Sequence, residues 1–253
     1  MTLFTRIIQS EPVKRYKKNT LFAIPFFFTF ANAILGLLSV VKALDSEFIT
    51  AAYCILLAIF MDTLDGRLAR AFGSTSVLGM ELDSLCDAIS FCLAPVVLLY
   101  SWEVQDFGMF GFIVLAIYLC AGLFRLAKFN INSSKNGNWF LGLPTPVSAF
   151  LLSSFVLTQN WVEDSFINFL FKKNVLFALL LLISFLMISK IKFPAFKQHK
   201  GIILYAQLLI FFLTGLLGYL QSPYMLLTPL LYILFGFSCC FYSNTKRFLA
   251  SKF

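Results

Sequence analysis

The chain carries too little charge to face water. Only 13% of its 253 residues are Asp, Glu, Lys or Arg, whereas 60% are hydrophobic; a soluble domain has about 25% charged residues. That excludes a water-soluble globule, and long apolar runs with little charge call for membrane spans. Histidine is nearly absent as well. His199 stands alone in KQHKG, between apolar runs, and reads as a solvated loop residue with no catalysis assigned to it. There are six cysteines, none in a CxxC pair and all within apolar runs. They read as small buried hydrophobes, and no disulfide framework is indicated. A nucleic-acid face is also missing. The net charge is +8, but the basic residues fall in short clusters between apolar runs, a pattern of orientation signal and phospholipid contact. The N-terminus, with Glu11 and the cluster Lys14–Lys18, does not resemble a cleavable signal.

What the sequence does have is a series of apolar segments. Eight spans are expected, at about 21–41, 48–70, 78–101, 107–127, 142–160, 174–189, 201–220 and 223–242. They predict an all-α fold, a polytopic membrane helix bundle forming a single integral membrane domain over 1–253, preceded by a basic cytoplasmic segment at 1–20. With the N-terminus inside, only Lys42, Lys172 and Lys173 of the 20 basic residues fall in outer loops. This bias puts both termini in the cytoplasm, in the cytoplasmic membrane. The polar stretch Lys128–Trp139 is expected to be a cytoplasmic loop. No internal repeat is evident.

Acids inside spans are costly and usually mark function. The second span ends MDTLDGRLAR and the third begins LGMELDSLCDAIS. Asp62 and Asp65 are three apart and Asp83 and Asp87 four apart, so each pair shares a helical face. The turn between them contains Gly73, Ser74, Thr75 and Ser76, which favour a bend. In an antiparallel hairpin the two pairs then face each other near the cytoplasmic edge. Four carboxylates at one locus repel unless protons or cations neutralise them. Hard, oxygen-seeking Mg²⁺ or Mn²⁺ suits such a set, and two such ions are expected. Gly66, Ala69 and Gly79 leave room beside the acids, either for a ligand or for close helix packing.

Taken together, Asp62-x-x-Asp65-Gly66-x-x-Ala69-Arg70, eight residues, Gly79, three residues, Asp83, three residues, Asp87 resembles the signature of the CDP-alcohol phosphatidyltransferases. All of its fixed positions match, over residues 62–87. The resemblance implies a bundle of transmembrane helices that binds a CDP-linked lipid and lets an alcohol displace CMP. It further implies Asp62, Asp65 and Asp83 as metal ligands on the pyrophosphate, and Asp87 as the general base that also touches metal. Gly66, Ala69 and Gly79 would make space for cytidine and ribose, and Arg70 would hold anionic groups.

Upstream, IPFFFTFANAILG is similar to the first-helix motif of the phosphatidylserine synthase branch, with Pro25, Thr29, Asn32 and Gly36 in place and Phe26 where Asn is usual. Asn32 is expected either to contact the nucleotide or to bond another helix. Downstream, FRLAKFN (Phe124–Asn130) and GLPTP (Gly142–Pro146) resemble the same branch. Arg125 and Lys128, three apart, are expected to bind the serine carboxylate or the lipid phosphate, or to serve as positive-inside anchors.

The expected reaction is transfer of the phosphatidyl group from CDP-diacylglycerol to L-serine, with membrane lipids as surroundings, no nucleic acid, and a homodimer by family analogy. Glycerol 3-phosphate or an inositol phosphate is the alternative acceptor. A cation transporter is the alternative of a different class, and it would place its carboxylates nearer the midplane.

Overall fold

The computed structural model describes residues 11–74, 76–132, 139–159, 173–189 and 191–194. Helix α1 (Glu11–Leu44) begins ten residues before the expected first span. Pro12 sits in its first turn, where a missing N–H costs nothing, and the Lys- and Arg-rich sequence that follows is a good helix former. Part of the basic segment is therefore helical. Pro25 lies inside α1, and the Thr29 hydroxyl donates to its carbonyl at 3.1 Å.

A tight turn leads to α2 (Phe48–Ala71). It is closed by the Lys42–Glu47 ion pair at 2.8 Å, which holds the exposed Glu47 carboxyl below the usual range. Helix α1 packs chiefly along α2. Helix α2 stops where the chain reverses at Gly73, in the left-handed region at φ 63°, which glycine adopts without strain. Ser76 then caps α3 (Val77–Asp87) by accepting from the Gly79 N–H at 3.0 Å. The expected bend is thus observed.

The third span is not one regular helix. After Asp87 comes a π-helical turn, Ala88–Leu93, in which the Ala94 N–H reaches back five residues to the Ile89 carbonyl. Helix α4 (Ala94–Trp102) follows. Pro95 explains much of this: it has no N–H to offer the Phe91 carbonyl four residues back. The Tyr118 hydroxyl donates to that carbonyl at 2.9 Å.

A 3₁₀ turn, Val104–Phe107, leads into α5 (Gly108–Asn132). The helix runs through Lys128–Asn132, and this corrects the loop expected from Lys128 onward. The polar residues there continue the helix because Asn130 is held by α3: Ser84 donates to Asn130 at 2.9 Å, and Asn130 donates to Glu81 at 3.0 Å.

Among the described residues the all-α expectation holds apart from one small strand pair. β1 (Trp139–Leu141) lies antiparallel to β2 (Lys192–Pro194), Phe140 facing Phe193. Between them are α6 (Thr145–Gln159) and α7 (Lys173–Ile188). Gly142, at φ 79°, donates to the Ile191 carbonyl at 2.8 Å, and Leu143 donates to Leu186 at 3.0 Å. A Cβ at Gly142 would strike the Met187 carbonyl oxygen, so the entry to α6 is pinned to the end of α7.

Among the described residues, four helical segments are long and apolar enough to cross a membrane: Ile24–Leu44, Phe48–Ala71, Val77–Trp102 and Val104–Ile131. Helices α6 and α7 are apolar but shorter, about 22–24 Å at 1.5 Å per residue. The spans expected at 201–220 and 223–242, and His199, lie outside the described residues. Large apolar side chains such as Phe27, Phe30, Ile34 and Phe112 face outward, as a chain solvated by lipid requires. Tyr118, Phe91, Ile55 and Leu98 fill the interior.

Helix α1 meets the π turn almost backbone to backbone. A Cβ on Gly36 would sit 2.7 Å from Ser90 Cα and collide with the Ser90 hydroxyl. We expect Gly36→Ala to cost about 1–3 kcal/mol of stability through overpacking. This is measured as a lower thermal unfolding midpoint in detergent; an unchanged midpoint would show that the helices part freely.

Candidate active site

Four acids enter the bundle from the two arms of one hairpin, and the hairpin decides which of them meet. Asp62 on α2 and Asp83 and Asp87 on α3 each present a carboxylate oxygen, and the three oxygens lie within 4.8 Å of one another. Opposite ligands of one Mg²⁺ stand about 4.2 Å apart at its usual bond lengths, so the trio closes on an ion with small shifts. Asp65 is not in this set. It is buried beside Thr29 of α1 and close to Asp83. Asp65 Oδ2 and Asp83 Oδ1 are buried with no hydrogen-bond partner, and such orphaned acceptors call for a cation, a water or a ligand donor. The donor set is all oxygen, and hard divalent ions fit it.

Asp87 is the most constrained of the four. It is 7% exposed, and its Oδ1 accepts from Asn32 Nδ2 at 3.1 Å. Asn32 is fully buried and is itself held, because Ser90 donates to its backbone carbonyl at 2.8 Å. The close approach at Gly36 makes that bond possible. Of the two expectations for Asn32, the structure displays the interhelical bond, and its partner is a site acid.

Two cations act on the acids. Arg70, at the exposed end of α2, acts on Asp65 and Asp83. Arg125 on α5 is only 7% exposed, and its charge reaches Asp62 and Asp87. Its Nη1 donates to Thr145 Oγ1 at 2.9 Å, and its guanidinium lies 5.8 Å from the Phe129 ring centre. Lys128, one turn on, is half-exposed.

The glycines of the signature behave unlike those of the core. A Cβ at Gly66 would meet only the Arg70 guanidinium, at 3.4 Å, and one at Gly79 only the Ser76 hydroxyl of its own cap, at 3.2 Å. Among the described residues no neighbouring helix requires glycine at either position, whereas at Gly122 a Cβ would press on Cys92 Sγ at 2.5 Å.

A family profile described as CDP-alcohol phosphatidyltransferase matches residues 22–234. The chain belongs to the CDP-alcohol phosphatidyltransferase family. The hairpin acids, Asn32 of α1 and Arg125 of α5 all lie inside the matched stretch of this transferase. Among its relatives, a CDP-diacylglycerol–serine O-phosphatidyltransferase of Helicobacter pylori (strain ATCC 700392 / 26695) is 33% identical over 186 residues, 72% of this chain and 76% of that protein. The Bacillus subtilis (strain 168) protein of the same name is 35% identical over 179 residues, 70% of this chain and 93% of its own length. An archaetidylserine synthase of Methanothermobacter thermautotrophicus is 37% identical over 181 residues, 70% of this chain and 72% of that protein.

Several transferase residues at the site had no role assigned from sequence. Tyr118 donates to the Phe91 carbonyl, Ser148 donates to the Thr145 carbonyl, the Thr145 hydroxyl accepts from Arg125, and Asn130 ties α5 to α3. Thr145 and Asn130 do stand within the GLPTP and FRLAKFN motifs, which was the available signal. Tyr118 had none.

If Gly66 serves a ligand, Gly66→Val should raise the KM for the CDP-linked lipid by about tenfold, the cost of roughly 1.4 kcal/mol of binding. The unfolding midpoint should hardly move. A large fall in stability with an unchanged KM would return Gly66 to a packing role.

Proposed function

We propose that this transferase moves the phosphatidyl group of CDP-diacylglycerol to the hydroxyl of L-serine, giving phosphatidylserine and CMP. The observation that carries the chemistry is the meeting of Asp62, Asp83 and Asp87 across the hairpin, inside a family defined by this transfer. Serine as acceptor is supported by the names of the relatives.

In this reading Asp62, Asp65, Asp83 and Asp87 hold divalent metal, Mg²⁺ or Mn²⁺, as two ions. Bound there, the metal neutralises pyrophosphate charge and improves CMP as a leaving group. The chain's own residues do the rest. Asp87 takes the proton of the acceptor hydroxyl while its oxygen bonds to the lipid-side phosphorus. The bond from that phosphorus to the CMP oxygen breaks, and CMP departs with the electron pair. A carboxylate is a weak base, so its aim matters, and Asn32 holds one of its oxygens. Gly66, Ala69 and Gly79 leave space for the nucleoside, Arg70 meets its phosphates, and Arg125 and Lys128 receive the acceptor or the lipid phosphate.

The remaining parts of the reading concern placement. We assign eight spans, both termini in the cytoplasm, residence in the cytoplasmic membrane with the active site on the cytoplasmic side, and a homodimer. The charge bias of the loops supports the orientation.

The test is an assay of purified protein with CDP-diacylglycerol and Mg²⁺ or Mn²⁺, supplied separately with serine, glycerol 3-phosphate and inositol phosphates. Serine-dependent CMP release with phosphatidylserine as product is expected. Release with glycerol 3-phosphate but not serine would reject the acceptor. No acceptor-dependent release would reject transfer itself.

A further inference from the structure

Arg125 is set in place by a buried hydroxyl. Its Nη1 donates to Thr145 Oγ1 at 2.9 Å. Thr145 in turn offers its backbone carbonyl to the Ser148 hydroxyl at 2.7 Å. Tyr118, whose hydroxyl lies 3.2 Å from that of Ser148, donates to the Phe91 carbonyl at 2.9 Å. Thr145, Ser148 and Tyr118 are fully buried. Two short sets of bonds thus meet in contact: one holds the π turn that directly follows Asp87, and the other holds the backbone and hydroxyl of the residue that accepts from Arg125.

We propose that Thr145 is a specificity-determining positioning residue, which sets Arg125 to receive the carboxylate of an amino-acid acceptor. The inference rests on the transfer reading above. In that reading the acceptor's hydroxyl lies at Asp87 and its carboxylate, a few bonds away, meets that guanidinium. A planar, multi-donor guanidinium matches a carboxylate only when its plane is held. Thr145 supplies that hold, and the buried network leaves it little freedom to swing. Thr145 itself touches Arg125 and acts through it.

The pinned Gly142 turn strengthens the case. The backbone that delivers Thr145 is bonded to the end of α7 through Gly142 and Leu143, so the hydroxyl cannot drift with a loop. The same chemistry could serve a lipid phosphate instead, and the two substrates are separable by kinetics.

The experiment uses the full-length protein in detergent with CDP-diacylglycerol and Mn²⁺, and determines KM for each substrate. Thr145→Val keeps the shape and removes the hydroxyl. The KM for serine should rise about tenfold, the scale of one lost hydrogen bond to a charged group, while the KM for CDP-diacylglycerol stays within about twofold. Thr145→Ser should restore the serine KM. Should Thr145→Val fail to accumulate, Ser148→Ala removes the hydroxyl bound to the Thr145 carbonyl and should give a smaller rise in the serine KM alone. An unchanged serine KM, a parallel rise in both constants, or a Thr145→Ser protein as impaired as Thr145→Val would each overturn the assignment. Absence of serine-dependent CMP release by the unmodified protein would overturn the transfer reading and this inference together.

Discussion

Replacing Asp87 by Asn should remove about 10²–10⁴-fold of turnover, the usual contribution of a positioned base, while CDP-diacylglycerol still binds. The change is nearly isosteric, and the introduced amide still offers Asn32 a carbonyl oxygen, so the bond across to α1 need not break. What is lost is the capacity to accept the acceptor's proton. Turnover is read as serine-dependent CMP release, and binding by equilibrium retention of radiolabelled CDP-diacylglycerol in detergent. Near-normal turnover would remove Asp87 from the base role. Loss of lipid binding in step with turnover would make it a binding residue instead.

The second large effect concerns metal. Three carboxylate oxygens within 4.8 Å, beside the buried and orphaned Asp83 Oδ1, are unfavourable together without a cation. Excess EDTA should abolish CMP release, and Mg²⁺ or Mn²⁺ should restore it. Asp62→Asn and Asp83→Asn should each raise the metal concentration for half-maximal activity. The rise should be at least the 10–100-fold that is typical for loss of a mere outer-shell partner, because these acids are placed as direct ligands. Persistent activity in EDTA, or variants with the parent's metal dependence, would defeat the assignment.

The hairpin was legible because its signals are local. Helical spacing put Asp62 with Asp65 and Asp83 with Asp87, and the Gly- and Ser-rich turn folded one arm on the other. Which acids meet most closely was not legible, because that depends on the rotation of α2 against α3, and the rotation brings Asp62 rather than Asp65 to the α3 pair. Asn32 could be singled out as a polar residue in an apolar helix, but its partner lies 55 residues away. Basic residues at span ends usually mark orientation, and only burial separates Arg125 from Lys128. The polar run from Lys128 looked like a loop because its tertiary bonds to Glu81 and Ser84 have no local signal. Tyr118 was hidden for the same reason: its reason for being there is a carbonyl orphaned by Pro95 on another helix.

The π turn after Asp87 works as a fixed rotary coupling. Upstream of it, α3 aims its acids at α2; within it, Phe91 offers its carbonyl to Tyr118 and Cys92 packs against Gly122. The turn widens the helix to take in one more residue. Removing one residue between Ala88 and Leu93 would close it to ordinary helical pitch, and the Phe91 carbonyl and Cys92 would turn away from Tyr118 and Gly122. Length in this short segment is therefore under stricter constraint than the identity of most residues in it. A chain that kept every aspartate but lost one residue here would carry the full signature on a loosened support.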